Sequence, residues 1–241
     1  MTEKLIVSLD MSDSAQIRAL VEKLDTRVGY YKVGAIPFTL LGPELVAYLK
    51  GRGKNVMLDL KYHDIPNTVA RACAGAKNTG ADMMTVHASG GFSMMEEAVK
   101  AILIGGESEG HARPRILGIT VLTSIDEAYF ADLFGTVERT LGEQVLFLAQ
   151  LARSAGLDGV VASPREITPI RQCSGDDFLI VTPGIRPADK QVNDDDQART
   201  MTPGQAVKAG ADYIVVGRPI VSAPDPVAAT ERILEEMENG H

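Results

Sequence analysis

The chain has 241 residues, 45% of them hydrophobic and 23% charged, with a formal net charge of −8. That balance suits a globular protein with a sizeable core, and it argues against the clustered positive surface that general nucleic-acid or anionic-membrane binding requires. Cys73 and Cys173 lie far apart with no metal-type spacing and read as isolated thiols of a reducing compartment.

At the N-terminus, Met1–Lys4 runs directly into the apolar Leu5–Leu9, without the basic leader and longer apolar stretch of a secretory signal. No apolar run approaches the roughly 20 residues of a membrane helix. A cytoplasmic protein is expected, with neither nucleic acid nor membrane as partner.

In chain order, short β-branched apolar runs predict strands at 4–10, 28–34, 54–61, 82–87, 115–121, 157–162, 178–182 and 212–217. Amphipathic stretches between them predict helices near 13–25, 37–51, 66–80, 92–104, 138–155, 165–173 and 203–210, with a last one at 225–238. In 138–155, Val145, Leu148, Ala149 and Ala152 recur at helical spacing. Several strand runs are apolar on both faces, as buried parallel strands require. Such alternation without a linker predicts an α/β protein, a (β/α)8 TIM barrel forming a single domain over 1–241. A doubly wound open sheet is the alternative, but it often carries a glycine-rich first turn, and the first strand here ends Ser8-Leu9-Asp10-Met11. No strong internal repeat is evident. Two connections, 122–137 and 183–202, are too long for simple turns; in compact domains such loops are functional or solvated excursions.

Polar residues gather at the predicted C-terminal strand ends, where a barrel builds its active site: Asp10, Lys32, Asp59, Lys61, His87, Thr120, Thr123, Ser163, Gly217 and Arg218. Asp59 and Lys61 are two apart on one strand and are expected on one face, toward the barrel axis, with Leu58 and Leu60 toward the helices. With Asp10 and Lys32 they form a row of alternating charges, either a catalytic network or a structural one. A buried network adds little stability over apolar packing, which favours function. Asp64 follows the strand end and cannot share that face; by itself it also reads as an N-cap-like residue before Pro66. Gly217-Arg218-Pro219 pairs a glycine with a guanidinium at a predicted helix start, a pattern suited to phosphate, or else a turn glycine beside a surface arginine. His87 is readable as a satisfied core histidine and His63 as a loop spacer, neither with an assigned role. No metal-ligand spacing is present, and Lys32 and Lys61 would repel a cation.

The string Leu58-Asp-Leu-Lys-Tyr-His-Asp-Ile-Pro-Asn-Thr68 resembles the signature of the orotidine 5′-phosphate decarboxylases. The likeness extends through Tyr31-Lys-Val-Gly34, Val86-His-Ala88, Gly118–Ser124, Thr182–Pro187, Asp196-Gln197 and Gly217–Pro219. It implies a metal-free, cofactor-free homodimeric barrel that decarboxylates orotidine 5′-phosphate to UMP, the last step of pyrimidine nucleotide synthesis. It makes Lys61 the proton donor to C6, Asp59 the neighbour of the departing CO2, Lys32 a member of the charged network and Asp10 a ribose-side ligand. Asp64 would reach into the partner's site. Thr123 would hold the pyrimidine, Gln197 and Arg218 the phosphate, and Ile65, Thr68, Arg186 and Gly217 would complete the substrate contacts. The competing readings are a metal-dependent sugar-phosphate lyase or decarboxylase of similar barrel, in which an acidic residue would stand at Lys32, and a non-catalytic nucleotide-binding barrel.

Overall fold

The computed structural model describes residues 2–104, 113–134, 138–188 and 199–240. Its strands are β1 (Leu5–Ser8), β2 (Tyr30–Gly34), β3 (Asn55–Tyr62), β4 (Met83–His87), β5 (Arg115–Ile119), β6 (Gly159–Val161), β7 (Leu179–Thr182) and β8 (Tyr213–Val216). Each pairs in parallel with the next, and β8 returns to β1, closing a barrel. The predicted (β/α)8 architecture is therefore present and the open sheet is not.

The helices around it are α1 (Ser14–Leu24), α2 (Ala35–Leu41), α3 (Pro43–Gly51), α4 (Pro66–Lys77), α5 (Phe92–Leu103), α6 (Glu127–Phe134), α7 (Leu141–Ser154), α8 (Ile167–Ser174), α9 (Pro203–Ala209), α10 (Arg218–Val221) and α11 (Pro226–Asn239). Val145, Leu148, Ala149 and Ala152 are the buried face of α7, whose start is closed by a capping box between Thr140 and Glu143. Three expectations change. The helix expected over 37–51 is two, because Gly42 takes φ 58° and Pro43 restarts the chain as the first residue of α3. The connection 122–137 is not a bare loop, since α6 lies within it. In the connection 183–202, Ile185 and Met201 form a parallel bridge, while the polar stretch Asp189–Gln197 lies outside the described residues.

Apolar side chains divide by strand alternation into two bodies. Ile6, Tyr30, Met57, Met83, Leu117, Val181 and Val215 fill the barrel interior. A larger set, including Val7, Tyr31, Leu58, Met84, Ile116 and Ile214, packs between barrel and helices. The interior plug ends below the C-terminal rim, so polar groups on the next turn of the pleat stand above an apolar floor.

A repeat not evident in the sequence appears at the opposite rim. Asp82, Asp158 and Asp212 each follow a glycine of positive φ by two residues (Gly80, Gly156, Gly210) and lead into β4, β6 and β8. Each aspartate donates its backbone N–H to the preceding strand, at Val56, Ile116 and Ile180, and its carboxylate accepts the N–H of that same residue at 2.7–2.8 Å. Lys50, Arg113 and Arg171 neutralise the three carboxylates at 2.6–2.7 Å. Spaced along the chain by a whole βαβ unit, these two-way clamps set strand register at the face remote from the polar cluster.

Candidate active site

At the C-terminal rim, the charged row predicted from the strand ends is assembled. Lys32 Nζ donates to both carboxylate oxygens of Asp10 at 2.9 Å and lies 3.5 Å from Asp59 Oδ2. Lys61 Nζ donates to that same Asp59 oxygen at 2.7 Å. Ser8 Oγ donates to Asp10 Oδ2 at 2.6 Å, so the row runs Ser8, Asp10, Lys32, Asp59, Lys61. Lys32 and Asp59 are buried, whereas the side chains of Asp10 and Lys61 are 47% and 36% exposed and open to the cavity above.

Asp59 and Lys61 share the cavity face as expected, but the backbone between them is irregular. Pairing of β3 with β4 runs Leu58 to Met84, then Tyr62 to Val86, so Thr85 alone faces the three residues Asp59–Lys61. Within this bulge Lys61 takes φ 51°, a left-handed conformation that costs an L-residue about 1–2 kcal/mol. The bulge adds two residues, so the in–out alternation is kept: Asp59 and Lys61 line one cavity while Leu58, Leu60 and Tyr62 pack on the helix side. Thr85 holds that geometry. Its hydroxyl accepts the Lys61 backbone N–H at 3.0 Å and donates to Asp59 Oδ1 at 2.9 Å, with no exposure to solvent. Thr85 was not among the predicted site residues, although alternation from Met83 in the barrel plug was the signal for it.

Gly34 gives the row its space. A Cβ there would collide with Asp10 Oδ1 and stand 3.0 Å from Lys32 Nζ, so the glycine closing Tyr31-Lys32-Val33-Gly34 is required by the ion pair beside it.

Burial would raise the Asp59 pKa. The opposing fields of Lys32 and Lys61, with hydrogen bonds from Lys61 and Thr85, outweigh it and hold the carboxyl below its ordinary value. Asp59 is thus a buried, ionised carboxylate between two ammonium groups. His87, at the end of β4, has its pKa lowered by burial, with the charges of His63 and Lys61 adding to the effect against Asp59. Its ring lies 5.1 Å from that of His63, centroid to centroid.

Two adjoining cavities open over this row. The first, about 290 Å³, is lined by Asp10, Lys32, Asp59, Lys61 and Thr123, with Met57, Ile119 and Val215 among its apolar walls. The second, about 400 Å³, takes in Ser8, Asp10, Lys32, Arg186, Gly217 and Arg218. Asp10, Lys32, Pro183 and Val215 are common to both, so a single elongated ligand spanning the pair meets the charged row in one cavity and Arg186 and Arg218 in the other. Because α10 is a single turn, its dipole is small; the cationic character of the second cavity comes from Arg186 and Arg218 rather than from the helix start considered in the sequence.

Not all the predicted residues are gathered here. Asp64, Ile65 and Thr68 are exposed and line neither cavity, and the Asp64 carboxylate accepts the N–H of Ile65. Thr120 and Ser163 serve the scaffold, Thr120 donating to the Val161 carbonyl and Ser163 capping the turn 164–166. Gln197 lies outside the described residues.

The chain also matches known proteins. The model of the orotidine 5′-phosphate decarboxylase / HUMPS family matches residues 3–233. A relative named orotidine 5′-phosphate decarboxylase from Geobacter metallireducens is 49% identical over 238 residues, covering 99% of this chain and 97% of its own length. One of the same name from a Nostoc species is 44% identical over 236 residues, with 98% and 97% covered. The crystal structure of orotidine 5′-phosphate decarboxylase from Lactobacillus acidophilus has a TM-score of 0.84 to this fold at 38% identity, covering 98% of this chain and 99% of that one.

Proposed function

We infer the reaction from the premise that the chain belongs to the orotidine 5′-phosphate decarboxylase / HUMPS family. It decarboxylates orotidine 5′-phosphate to UMP and CO2, acting as a carboxy-lyase of pyrimidine biosynthesis. The observation that carries this choice within the family is Lys32, whose ammonium bonds both oxygens of Asp10 and lies 3.5 Å from Asp59. A metal-dependent sugar-phosphate enzyme would need an acidic ligand there; a fixed ammonium already supplies the positive charge these carboxylates require, and it would repel a cation. A non-catalytic barrel would leave the αL backbone of Lys61 and its half-exposed ammonium without purpose.

The pyrimidine occupies the first cavity against Thr123 and the apolar wall, and the phosphate occupies the second beside Arg218, Arg186 and Gly217. Gln197 adds a phosphate contact, and Asp10 takes a ribose hydroxyl. The substrate carboxylate then lies next to Asp59. Repulsion between two carboxylates near 4 Å at an effective dielectric near 20 is about 4 kcal/mol. Enzymes lower barriers by about 8–23 kcal/mol, so repulsion is a minority contribution. The larger part comes from Lys61, a cation held in place before the reaction. As the C6–CO2 bond breaks, its electron pair stays on C6, where the ammonium stabilises it and then transfers a proton to it. Lys32 keeps Asp59 ionised and fixed. Binding of the phosphate at a distance helps to assemble this centre.

We propose further that the whole chain, 1–241, is one barrel domain working in the cytoplasm as a homodimer. No helix among the described residues is long and apolar enough to cross a membrane. Asp64, Ile65 and Thr68 are exposed beside the site without entering it, which fits their contribution to the partner's cavity. The deciding assay treats purified protein with chelator and follows the loss of orotate absorbance from orotidine 5′-phosphate, with UMP as product. Absence of turnover defeats the reading, and metal-dependent cleavage of a sugar phosphate replaces it with the competing one.

A further inference from the structure

Hydrogen-bonded to the backbone of Leu122, in the wall of the first cavity, is a buried ion pair that the mechanism above does not use. Glu166 ends the turn 164–166 after β6, and Arg199 precedes α9 by four residues. Arg199 Nη1 donates to Glu166 Oε1 at 2.7 Å, and both side chains are less than a tenth exposed. Arg199 Nη2 donates to the backbone carbonyl of Leu122 at 3.4 Å. Glu166 Oε2 and Arg199 Nε have no hydrogen-bond partner among the described residues, and both residues line a cavity of about 400 Å³.

A pair of this kind is a poor stabiliser. Two charges are desolvated, one polar atom on each side has no partner among the described residues, and apolar residues of equal volume would serve the fold as well or better. What the pair does supply is position. Leu122 is followed by Thr123 and Ser124, all three in the wall of the pyrimidine cavity. Two residues beyond Arg199, Met201 donates its N–H to Gly184 and accepts that of Arg186, which fixes the backbone of Arg186 in the wall of the phosphate cavity. One guanidinium thus joins the backbone that carries the pyrimidine contact to the backbone that carries a phosphate contact.

We propose that Glu166 and Arg199 are positioning residues that couple phosphate binding to the geometry of the Leu122–Ser124 wall, so that the phosphate's binding energy is expressed at the pyrimidine. The inference rests on the decarboxylase reading. Glu166 anchors the guanidinium from the β6 side, and neither residue touches the substrate. Removing the anchor lets the two walls move independently. A substrate without phosphate never uses the coupling and does not register its loss.

The test compares orotidine 5′-phosphate with orotidine, the nucleoside, on wild-type protein and on Glu166→Gln. Wild-type turnover of the nucleotide is scored first; its absence defeats the decarboxylase reading and this inference with it. Given that turnover, Glu166→Gln lowers kcat/KM on the nucleotide by about 10- to 100-fold, the scale of a roughly 1 Å misplacement, and changes slow conversion of orotidine to uridine by less than about threefold. Equal losses on both substrates would show a merely structural role and overturn the coupling, as would no loss on either. Arg199→Lys, which keeps the charge but not the fork that reaches both partners, replaces Glu166→Gln if that variant does not fold. The same selective loss is expected from it, and a non-selective loss overturns the proposal equally.

Discussion

Replacing Thr85 by valine removes one hydroxyl from the centre of the site while keeping the side chain's shape. In the native arrangement that oxygen accepts the backbone N–H of Lys61 at 3.0 Å and donates to Asp59 Oδ1 at 2.9 Å, fully shielded from solvent. A hydrogen bond to an ionised group contributes about 1.5–3 kcal/mol, and an N–H left unsatisfied costs about 1–3 kcal/mol. Some of that cost is recovered if Lys61 relaxes from φ 51° toward the ordinary region, a gain of about 1–2 kcal/mol that moves its ammonium away from C6. The expected net loss of stability is therefore about 2–3 kcal/mol in urea unfolding, with kcat/KM for orotidine 5′-phosphate down about 10- to 100-fold. The pH dependence has a definite sign. Asp59 has a lowered pKa in the folded state, so its contribution is present above its unfolded value, near 4, and is lost as pH falls through the folded one. The stability difference between Thr85→Val and wild type should accordingly narrow in acid. Thr85→Ser, which restores the hydroxyl, should recover most of the rate. A folded Thr85→Val protein with wild-type kcat/KM would refute the claim that this hydroxyl sets the Lys61 geometry.

Lys61→Ala should abolish detectable turnover while UMP, measured by calorimetry, still binds through the phosphate cavity; near-normal rates would remove Lys61 from the chemical step. Mixing Lys61→Ala with Asp64→Ala subunits should restore part of the activity, because one of the two sites in each heterodimer then carries both residues, and confirmed heterodimers without rescue would exclude a shared site. Asp158→Ala removes the acceptor of the Ile116 N–H and the partner of Arg113 at the remote rim. It should lower the free energy of unfolding by about 2–3 kcal/mol while kcat at a temperature where the variant is folded stays near wild type, since that rim carries register rather than chemistry.

Much of the site was legible because strand ends concentrate it. Once the apolar runs were counted as eight parallel strands, Asp10, Lys32 and Asp59 had to emerge at one rim, and a cluster of paired charges above an apolar plug follows from the pleat. Thr85 follows the same alternation, but a threonine among Met83, Met84 and Val86 reads as a β-former rather than as a hydrogen-bonding group. The role of Gly34 was not legible, since nothing local distinguishes a glycine that ends a strand from one that clears space for an ion pair. The three G-x-D clamps share a two-residue offset too sparse to stand out as a repeat until their carboxylates were seen on equivalent strands.

By itself, the sequence determined the barrel, the strand ends and the residue types available there, because hydrophobic period and turn chemistry are local properties. It also contained the family signature from Leu58 to Thr68. Tertiary structure alone decided how Lys61 meets Asp59, since a bulge depends on a mismatch between β3 and β4 that neither strand encodes separately. It alone decided that Arg199 grips both Glu166 and Leu122, residues 33 and 77 positions away. Contacts at that separation are fixed by closure of the barrel, which no window of sequence contains.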